Sequence, residues 1–404
     1  MPLQISCHFD SGNIQVLSID RPGNIRLAIK KDASSEFLQW FHFRLSGARG
    51  QSCTLNIVNA GETSYPAGWQ NFDVVTSHDR QLWYRTPATF DGKTLSWSLT
   101  PEHDALWFAY FAPFSLEQHS NLIAATANCE GVKLERLGQT LDGRDFDCLH
   151  FAAVGDSDAR GDGSNPSSET AENKPSTARS SRLQLWAIGR QHPGESMASW
   201  WMEGWLQRLA DTSDAVSVAL RAIADIHVVP NMNPDGSVRG HLRTNAAGIN
   251  LNREWAEPSM QSSPEVFLVR QRMLDTGVDL NFDVHGDEAL PYNFIAGTEG
   301  IANWNEIRNA ELIAFKHTLA ALNPDFQYAK GYPINRSGAA NLSYCSNQIA
   351  HRFGCLAVTL EMPFKDTADT PHPDVGWSPE RCRKLGASCV EAAWLALTKR
   401  MLTA

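Results

Sequence analysis

The chain has 13 histidines and 45 acidic residues among 404, and one short stretch sets two of them at a chemically useful spacing. Arg190-Gln191-His192-Pro193-Gly194-Glu195-Ser196 places His192 and Glu195 three residues apart with Pro-Gly between them. About one His-x-x-[Asp/Glu] match is expected by chance in such a chain, so spacing alone decides little. The context decides more. The stretch follows the apolar run Leu183–Gly189 and precedes a helical pattern, and Pro-Gly makes a sharp turn that can aim both side chains at one place. Open α/β sheets bind their ligands there, outside the carboxyl ends of the strands.

A catalytic zinc site takes three nitrogen or oxygen ligands from the protein and keeps a fourth position open for water. His192 and Glu195 supply two, and the third has to come from another strand end. His285 follows the buried-type run ending at Val284 and completes a His₂Glu set. A lone histidine in that position is ordinarily a hydrogen-bonded rim residue; the set is what raises it. Zinc in such a set brings the pKa of its water to about 7 and polarises a bound carbonyl. A general base is then required. Glu361 closes the apolar run Cys355–Leu360, where a carboxylate is costly unless it is paired or used. Arg243 and Asn252-Arg253, downstream of the turn signal Asn233-Pro234-Asp235-Gly236, are residue types suited to holding an anion, carboxylate above all.

These residues need strands and helices to carry them. From about residue 119 onward, short apolar runs alternate with helical patterns. The strand candidates are Phe146–Ala153, Leu183–Gly189, Ile226–Val229, Leu280–Val284 and Cys355–Leu360. Helices are expected over Ser196–Leu209, Ile301–Leu322 and Pro379–Leu402. This is the signature of an α/β domain with a mixed, mainly parallel sheet flanked by helices. Residues 1–118 read differently. Phe37–Arg44, Cys53–Val58, Gln81–Arg85 and Thr94–Leu99 alternate apolar and polar residues between turn signals, which predicts an antiparallel β-sandwich. The expected division is therefore a β-sandwich over 1–118 and a catalytic domain over 119–404. Residues 155–181 lack every large apolar side chain and read as a disordered insertion; the Arg160-Gly161-Asp162 triplet inside it reads as chance.

Composition narrows the class. Hydrophobic residues at 42% and charged residues at 20% describe a globular protein. A net charge of −10 argues against a nucleic-acid-binding surface. No apolar run is long enough to span a membrane, and the first residues lack the pattern of a signal peptide. The eight cysteines form no close pair and read as reduced thiols of a cytoplasmic protein. The thirteen tryptophans are expected in the cores.

Taken together, HPGES at 192–196, NPDG at 233–236, Arg243 followed by Asn252-Arg253, His285-Gly286 and Thr359-Leu360-Glu361 resemble the zinc carboxypeptidase family. The resemblance is nearest to its cytosolic carboxypeptidase subfamily. That subfamily carries a β-sandwich ahead of the catalytic domain, and Trp40–Arg44, Leu55–Asn59 and Phe108–Tyr110 are similar to that leader. The resemblance implies one Zn²⁺ per chain, with His192, Glu195 and His285 as ligands and Glu361 as general base and acid. It implies that Arg243 stabilises the tetrahedral oxyanion, and that Asn252 and Arg253 hold the terminal carboxylate of a peptide or protein substrate.

The chain departs from the family pattern in three places. Tyr332 and Tyr344 both compete for the family's catalytic tyrosine. Asp287 stands where the subfamily usually has a second histidine. Met362-Pro363-Phe364 replaces the sequence usual after the glutamate. Release of acidic residues such as glutamate would need a basic pocket, for which Lys330 and Arg336 are the candidates. A zinc amidohydrolase of N-acyl amino acids or cell-wall peptides shares part of the motif set, and a non-catalytic peptide-binding protein would share the fold.

Overall fold

The computed structural model describes residues 2–152 and 182–403, and the expected insertion at 155–181 lies outside them. The amino-terminal part builds two five-stranded sheets. One orders Gln4–Ser6, His42–Ser46, Ala105–Ala109, Val74–Ser77 and Tyr84–Thr86, all antiparallel. The other orders Gln15–Ser18, Ile25–Ala28, Cys53–Ile57, Leu95–Leu99 and Ala88–Phe90. It is antiparallel except where Ile25–Ala28 runs parallel to Cys53–Ile57. Phe41, Phe43, Trp69, Trp97 and Phe108 are buried and packed ring to ring in this region.

Two of the expected strands start later than their apolar patterns. Phe37–Phe41 lies outside the ladder, and its pairing is shared between side chains and isolated backbone bonds such as Ser64 N–H to Leu38 O at 2.9 Å. Leu38 donates its N–H to Ser64 Oγ at 3.0 Å, and Gln39 Oε1 accepts from the Tyr65 N–H at 2.7 Å. Gln81–Trp83 is a turn because Asp79 Oδ1 accepts the amides of Gln81 and Leu82 at 2.8 Å each.

The seven-stranded second sheet orders Val132–Gln139, Asp145–Phe151, Ala224–Val229, Leu183–Gly189, Leu280–Asp287, Leu356–Pro363 and Phe294–Ala296. Its three central pairings run Ala224–Val229 to Leu183–Gly189, on to Leu280–Asp287 and on to Leu356–Pro363, all parallel. The outer strands are antiparallel. Central strands are buried on both faces, which is why they are near-continuous apolar runs. Leu280–Asp287 runs three residues beyond its apolar stretch, so His285 lies within the strand rather than after it.

Helices Met197–Ala210, Glu306–Leu322 and Pro379–Thr403 sit near their expected places. The helix after residue 301 begins only at Glu306, because Asn305 caps it by accepting the Arg308 N–H at 3.0 Å. Among the described residues five further α-helices, including Leu116–Ala127 with its Ser115/Gln118 capping box, were not evident from the apolar pattern. Among the described residues no helix is long and apolar enough to cross a membrane. All eight cysteines are free thiols.

Met197–Ala210 and Pro379–Thr403 approach each other through glycines. A Cβ on Gly386 would lie 2.2 Å from the Trp201 carbonyl oxygen, and one on Gly204 would lie 2.1 Å from that of Arg383. The contact brings the Trp201–Trp205 stack, with ring centroids 5.1 Å apart, down onto Phe282 of the central strand. Gly386→Ala should therefore cost about 1–3 kcal/mol through overpacking, seen as a lower thermal midpoint. Gly23→Ala, where a Cβ meets nothing within 4 Å, is the control expected to stay within about 0.5 kcal/mol. Equal midpoints would show that the helices can slide apart freely.

Candidate metal centre and active site

The centre begins at a backbone irregularity. Arg190, just after Leu183–Gly189, has φ of +59°, a conformation disfavoured for a residue with a side chain. Its buried guanidinium secures the turn: Nε donates to Pro193 O at 3.0 Å, and Nη1 donates to Phe114 O at 2.8 Å and to Ser199 Oγ at 3.2 Å. The chain reverses through Pro-Gly, and Gly194 donates its N–H to Leu242 O at 2.8 Å. His192 and Glu195 thereby face His285 across the strand ends.

The three side chains are buried, with one donor atom from each lying within 4.8 Å of the others. Nδ1 of His192 is 2.7 Å from Glu195 Oε1, Nδ1 of His285 is 2.8 Å from Glu195 Oε2, and the two Nδ1 atoms are 3.2 Å apart. The other ring nitrogens are engaged elsewhere. Nε2 of His285 is 2.9 Å from Asp283 Oδ1, and Nε2 of His192 is 3.0 Å from Asn250 Oδ1. Those oxygens take the Nε2 protons, so both Nδ1 lone pairs point at the same spot. Imidazoles oriented by a carboxylate or amide behind them are the usual setting of metal ligands. Tetrahedral zinc with donors at about 2.0–2.1 Å separates them by roughly 3.3 Å, close to the spacings found here. The donor set therefore fits zinc.

Electrostatics in the metal-free chain agree. Burial and the Arg243 charge bring the His192 pKa down to about 4. Burial opposes charge on His285, yet Asp283 and Glu195 outweigh it and raise its pKa. Burial likewise opposes ionisation of Glu195, but the two imidazoles hold its carboxyl well below the ordinary range. A proton on His285 thus substitutes for a cation between the carboxylates.

Glu361 lies directly across the parallel ladder from His285. It is inside the strand Leu356–Pro363, buried, and its Oε2 has no hydrogen-bond partner. Burial, reinforced by Glu195, Asp287 and Glu288 against the opposing pull of His285, raises its pKa well above the ordinary value. Arg243 stands on the other side, its Nη1 3.9 Å from Glu195 Oε1. Arg253 lies over the Tyr344 ring at 3.9 Å and donates from Nη1 to Asn252 O at 2.7 Å. Asn252 Oδ1 accepts the Cys345 N–H at 2.9 Å, while its Nδ2 reaches towards His285. All seven expected residues line one cavity of about 700 Å³.

NPDG is more than a turn. Asn233 caps the helix Pro234–Arg239 by accepting the Gly236 N–H, and its Nδ2 donates to Gln191 O at 3.0 Å, tying that helix to the metal loop. Both tyrosines line the cavity: Tyr332 donates to Asp287 Oδ2 at 2.5 Å, and Tyr344 stacks on Arg253. Lys330 lines the cavity. Arg336 is exposed and does not line it; its neighbour Asn335 packs against Gly300 instead.

Several lining residues escaped sequence reading, Tyr65, Lys316 and Glu288 among them. Tyr65 comes from the amino-terminal part, and nothing in its local sequence marks it. Lys316 sits 3.8 Å from Glu299 on the cavity wall. Glu288 is 6% exposed with Oε1 unpartnered, and its adjacency to His285-Gly286-Asp287 was the one available signal.

Such a centre at the carboxyl ends of parallel strands defines a metal-dependent hydrolase of the α/β class. The family model described as zinc carboxypeptidase matches residues 122–373, and that described as the cytosolic carboxypeptidase N-terminal domain matches residues 5–111. The chain belongs to the zinc carboxypeptidase family and is a zinc metallocarboxypeptidase, a hydrolase acting on peptide C-termini. It is 43% identical to the metallo-carboxypeptidase of Burkholderia cenocepacia, covering 99% of this chain and 100% of that one at a TM-score of 0.89. A metallo-carboxypeptidase from Pseudomonas aeruginosa, solved in complex with (2-guanidinoethylmercapto)succinic acid, is 41% identical over 99% and 100% of the two chains, TM-score 0.89. Cytosolic carboxypeptidase 1 of Xenopus laevis is 26% identical over 299 residues, which is 66% of this chain and 23% of that protein. The chain thus matches about a quarter of that relative's length.

Glu288 yields a pH prediction for the metal-free protein. Burial pushes its pKa from 4.5 up to about 8, with Arg243 opposing and Glu195 adding. Stability from the protonated acid is fully present below pH 4.5 and is lost as pH rises towards 8. With chelator present, the thermal midpoint of Glu288→Gln should gain on wild type progressively from about pH 5 to pH 8. A pH-independent difference would show that this carboxyl is not desolvated.

Proposed function

We propose that the chain removes single residues from the C-termini of peptides or proteins, using one zinc ion per chain held by His192, Glu195 and His285. The observation that carries this is the convergence of both Nδ1 lone pairs and the Glu195 carboxylate beneath an unpartnered Glu361. Zinc, when bound, supplies Lewis acidity at that point and makes water acidic enough to act near pH 7. Glu361, whose proton affinity burial has raised, takes the proton of the attacking water and hands it to the leaving amine. Arg243, charged and largely shielded from solvent, faces the oxyanion as it forms. Arg253, assisted by the Asn252 amide, holds the terminal carboxylate and so fixes which bond is cut. Tyr332, at the cavity edge, is our choice for the family's tyrosine. We assign residues 1–118 to the sandwich and 119–404 to the catalytic unit. The free thiols suit a reducing cytoplasm.

For the terminal side chain we favour acidic residues such as glutamate, with Lys316 and Lys330 on the cavity wall as counter-charges. A basic terminal residue is the second reading. Glu299 shares that wall, and the ligand of the Pseudomonas relative carries a guanidinium beside its two carboxylates.

Release of free amino acids from a mixed C-terminal peptide library should be abolished by a zinc chelator and restored by zinc. Glutamate or aspartate among the products supports the first reading of the pocket, and lysine or arginine alone overturns it. Glu361→Gln should lower kcat at least about 100-fold while holding the same zinc as wild type. Full activity in that variant would remove Glu361 from the mechanism.

A further inference from the structure

Arg243 sits in a loop that no sheet supports. It follows the helix Pro234–Arg239, leaves through Gly240 in the left-handed conformation at φ of +69°, and pairs with no strand. Its support comes from the amino-terminal part of the chain, from the loop between Ile25–Ala28 and His42–Ser46. Asp32, 2% exposed, offers both carboxylate oxygens to this loop. Oδ1 accepts the Leu242 N–H at 2.6 Å. Oδ2 accepts the Arg243 N–H at 2.8 Å, the Thr244 N–H at 3.0 Å and the Thr244 hydroxyl at 3.0 Å.

The surroundings of Asp32 are equally fixed. Ala33 donates its N–H to His241 Nε2 at 3.0 Å, which leaves Nδ1 of that ring to donate to Thr244 O at 3.0 Å. Gly248, φ +79°, passes so close to Ser34 that a Cβ would lie 2.3 Å from its carbonyl oxygen. Beyond the backbone, the Arg243 guanidinium lies 5.8 Å from the Phe37 ring and 5.3 Å from the Tyr65 ring. On its far side Leu242 O receives the Gly194 N–H of the metal loop. The loop is therefore clamped between Asp32 and the turn that carries His192 and Glu195.

We propose that Asp32 is a positioning residue for hydrolysis: it fixes the Leu242–Thr244 backbone so that Arg243 reaches the oxyanion. This rests on the role given to Arg243 above and makes the amino-terminal loop that carries Asp32 a working part of the site. Three consecutive amides and a hydroxyl on one carboxylate leave the loop little freedom. A displacement of about 1 Å at a charge-stabilising group can cost about 100-fold in rate. A carboxylate is acceptor-only, so it alone can satisfy four donors arriving from one side. In Asp32→Asn the shape is kept, but the amide NH₂ has to face at least one of those N–H groups.

Asp32→Asn in the full chain should hold wild-type zinc while kcat falls about 10- to 100-fold, with KM within about threefold. Affinity for a phosphinic peptide, which mimics the tetrahedral intermediate, should fall by the same factor as kcat/KM. In an Arg243→Ala background the same change should cost no more than about twofold, because the group it positions is gone. Should Asp32→Asn not fold, Thr244→Val removes one of the four donors and should show the same pattern at smaller size. Equal losses from Asp32→Asn with and without Arg243, or undiminished phosphinic peptide binding alongside lost activity, would overturn the positioning role. An Arg243→Ala enzyme with wild-type kcat would instead overturn the oxyanion assignment on which it rests.

Discussion

Two imidazole lone pairs and a carboxylate directed at one buried point repel each other unless something positive lies between them. This constraint organises the catalytic half of the chain. In the metal-free state a proton on His285 meets it, held between Asp283 and Glu195. Bound zinc would take the place of that proton, with His192, Glu195 and His285 holding it and Asp283 orienting the His285 ring from behind. The same geometry depends on strand register. His285 and Glu361 are opposed because Leu280–Asp287 and Leu356–Pro363 pair in one particular register. A slip of one residue would turn Glu361 to the other face of the sheet. The apolar residues between them, Leu280, Phe282, Val284, Val358 and Leu360, are buried and hold that register.

The site wall is shared between the two halves of the chain, and polar contacts make the sharing rigid. Arg85 of the amino-terminal part donates from Nη2 to Phe364 O at 2.9 Å and to Trp377 O at 3.0 Å. Ser196 and Trp200 both donate to Ala112 O at 2.9 Å. Tyr110 stacks on Phe364 at 4.2 Å, just beyond the strand that carries Glu361. Buried arginines lose hydration, so each must find carbonyl partners in defined places. These contacts leave little play between the sheets and the cavity, which is the condition for a side chain such as Tyr65 to act as its wall.

Much of this was legible in the sequence where burial writes a pattern. Leu183–Gly189 appeared at its true limits because a strand covered on both faces is apolar throughout. The seven expected residues could be picked out because metal, base and anion chemistry restrict residue type, and the fold brings all seven to one cavity. Illegible were contacts set by tertiary closure. Asp32 lies more than 200 residues from its donors in sequence, and an aspartate near a turn is ordinary. Phe37–Phe41 has strand composition, yet its pairing is a mixture of side-chain bonds and isolated backbone bonds to loops. NPDG contains strong turn residues, and the same asparagine and proline are also favoured at a helix start; only the following residues decide.

The family departure at Asp287 is absorbed by structure rather than by the cavity's charge. Its Oδ1 accepts the amides of Ala289 and Leu290, and its Oδ2 accepts the Tyr332 hydroxyl. An imidazole in that place could not receive three donors at once. The aspartate therefore closes the turn after the metal strand and anchors Tyr332 at the cavity edge. Burial and the nearby Glu361 raise the pKa of this phenol, so it stays protonated and keeps donating. Glu288, one residue further on, has no such partners and faces the charge of Arg243 instead. Adjacent carboxylates thus diverge in function through hydrogen bonding alone: one is spent on the backbone, and the other stays available to the cavity.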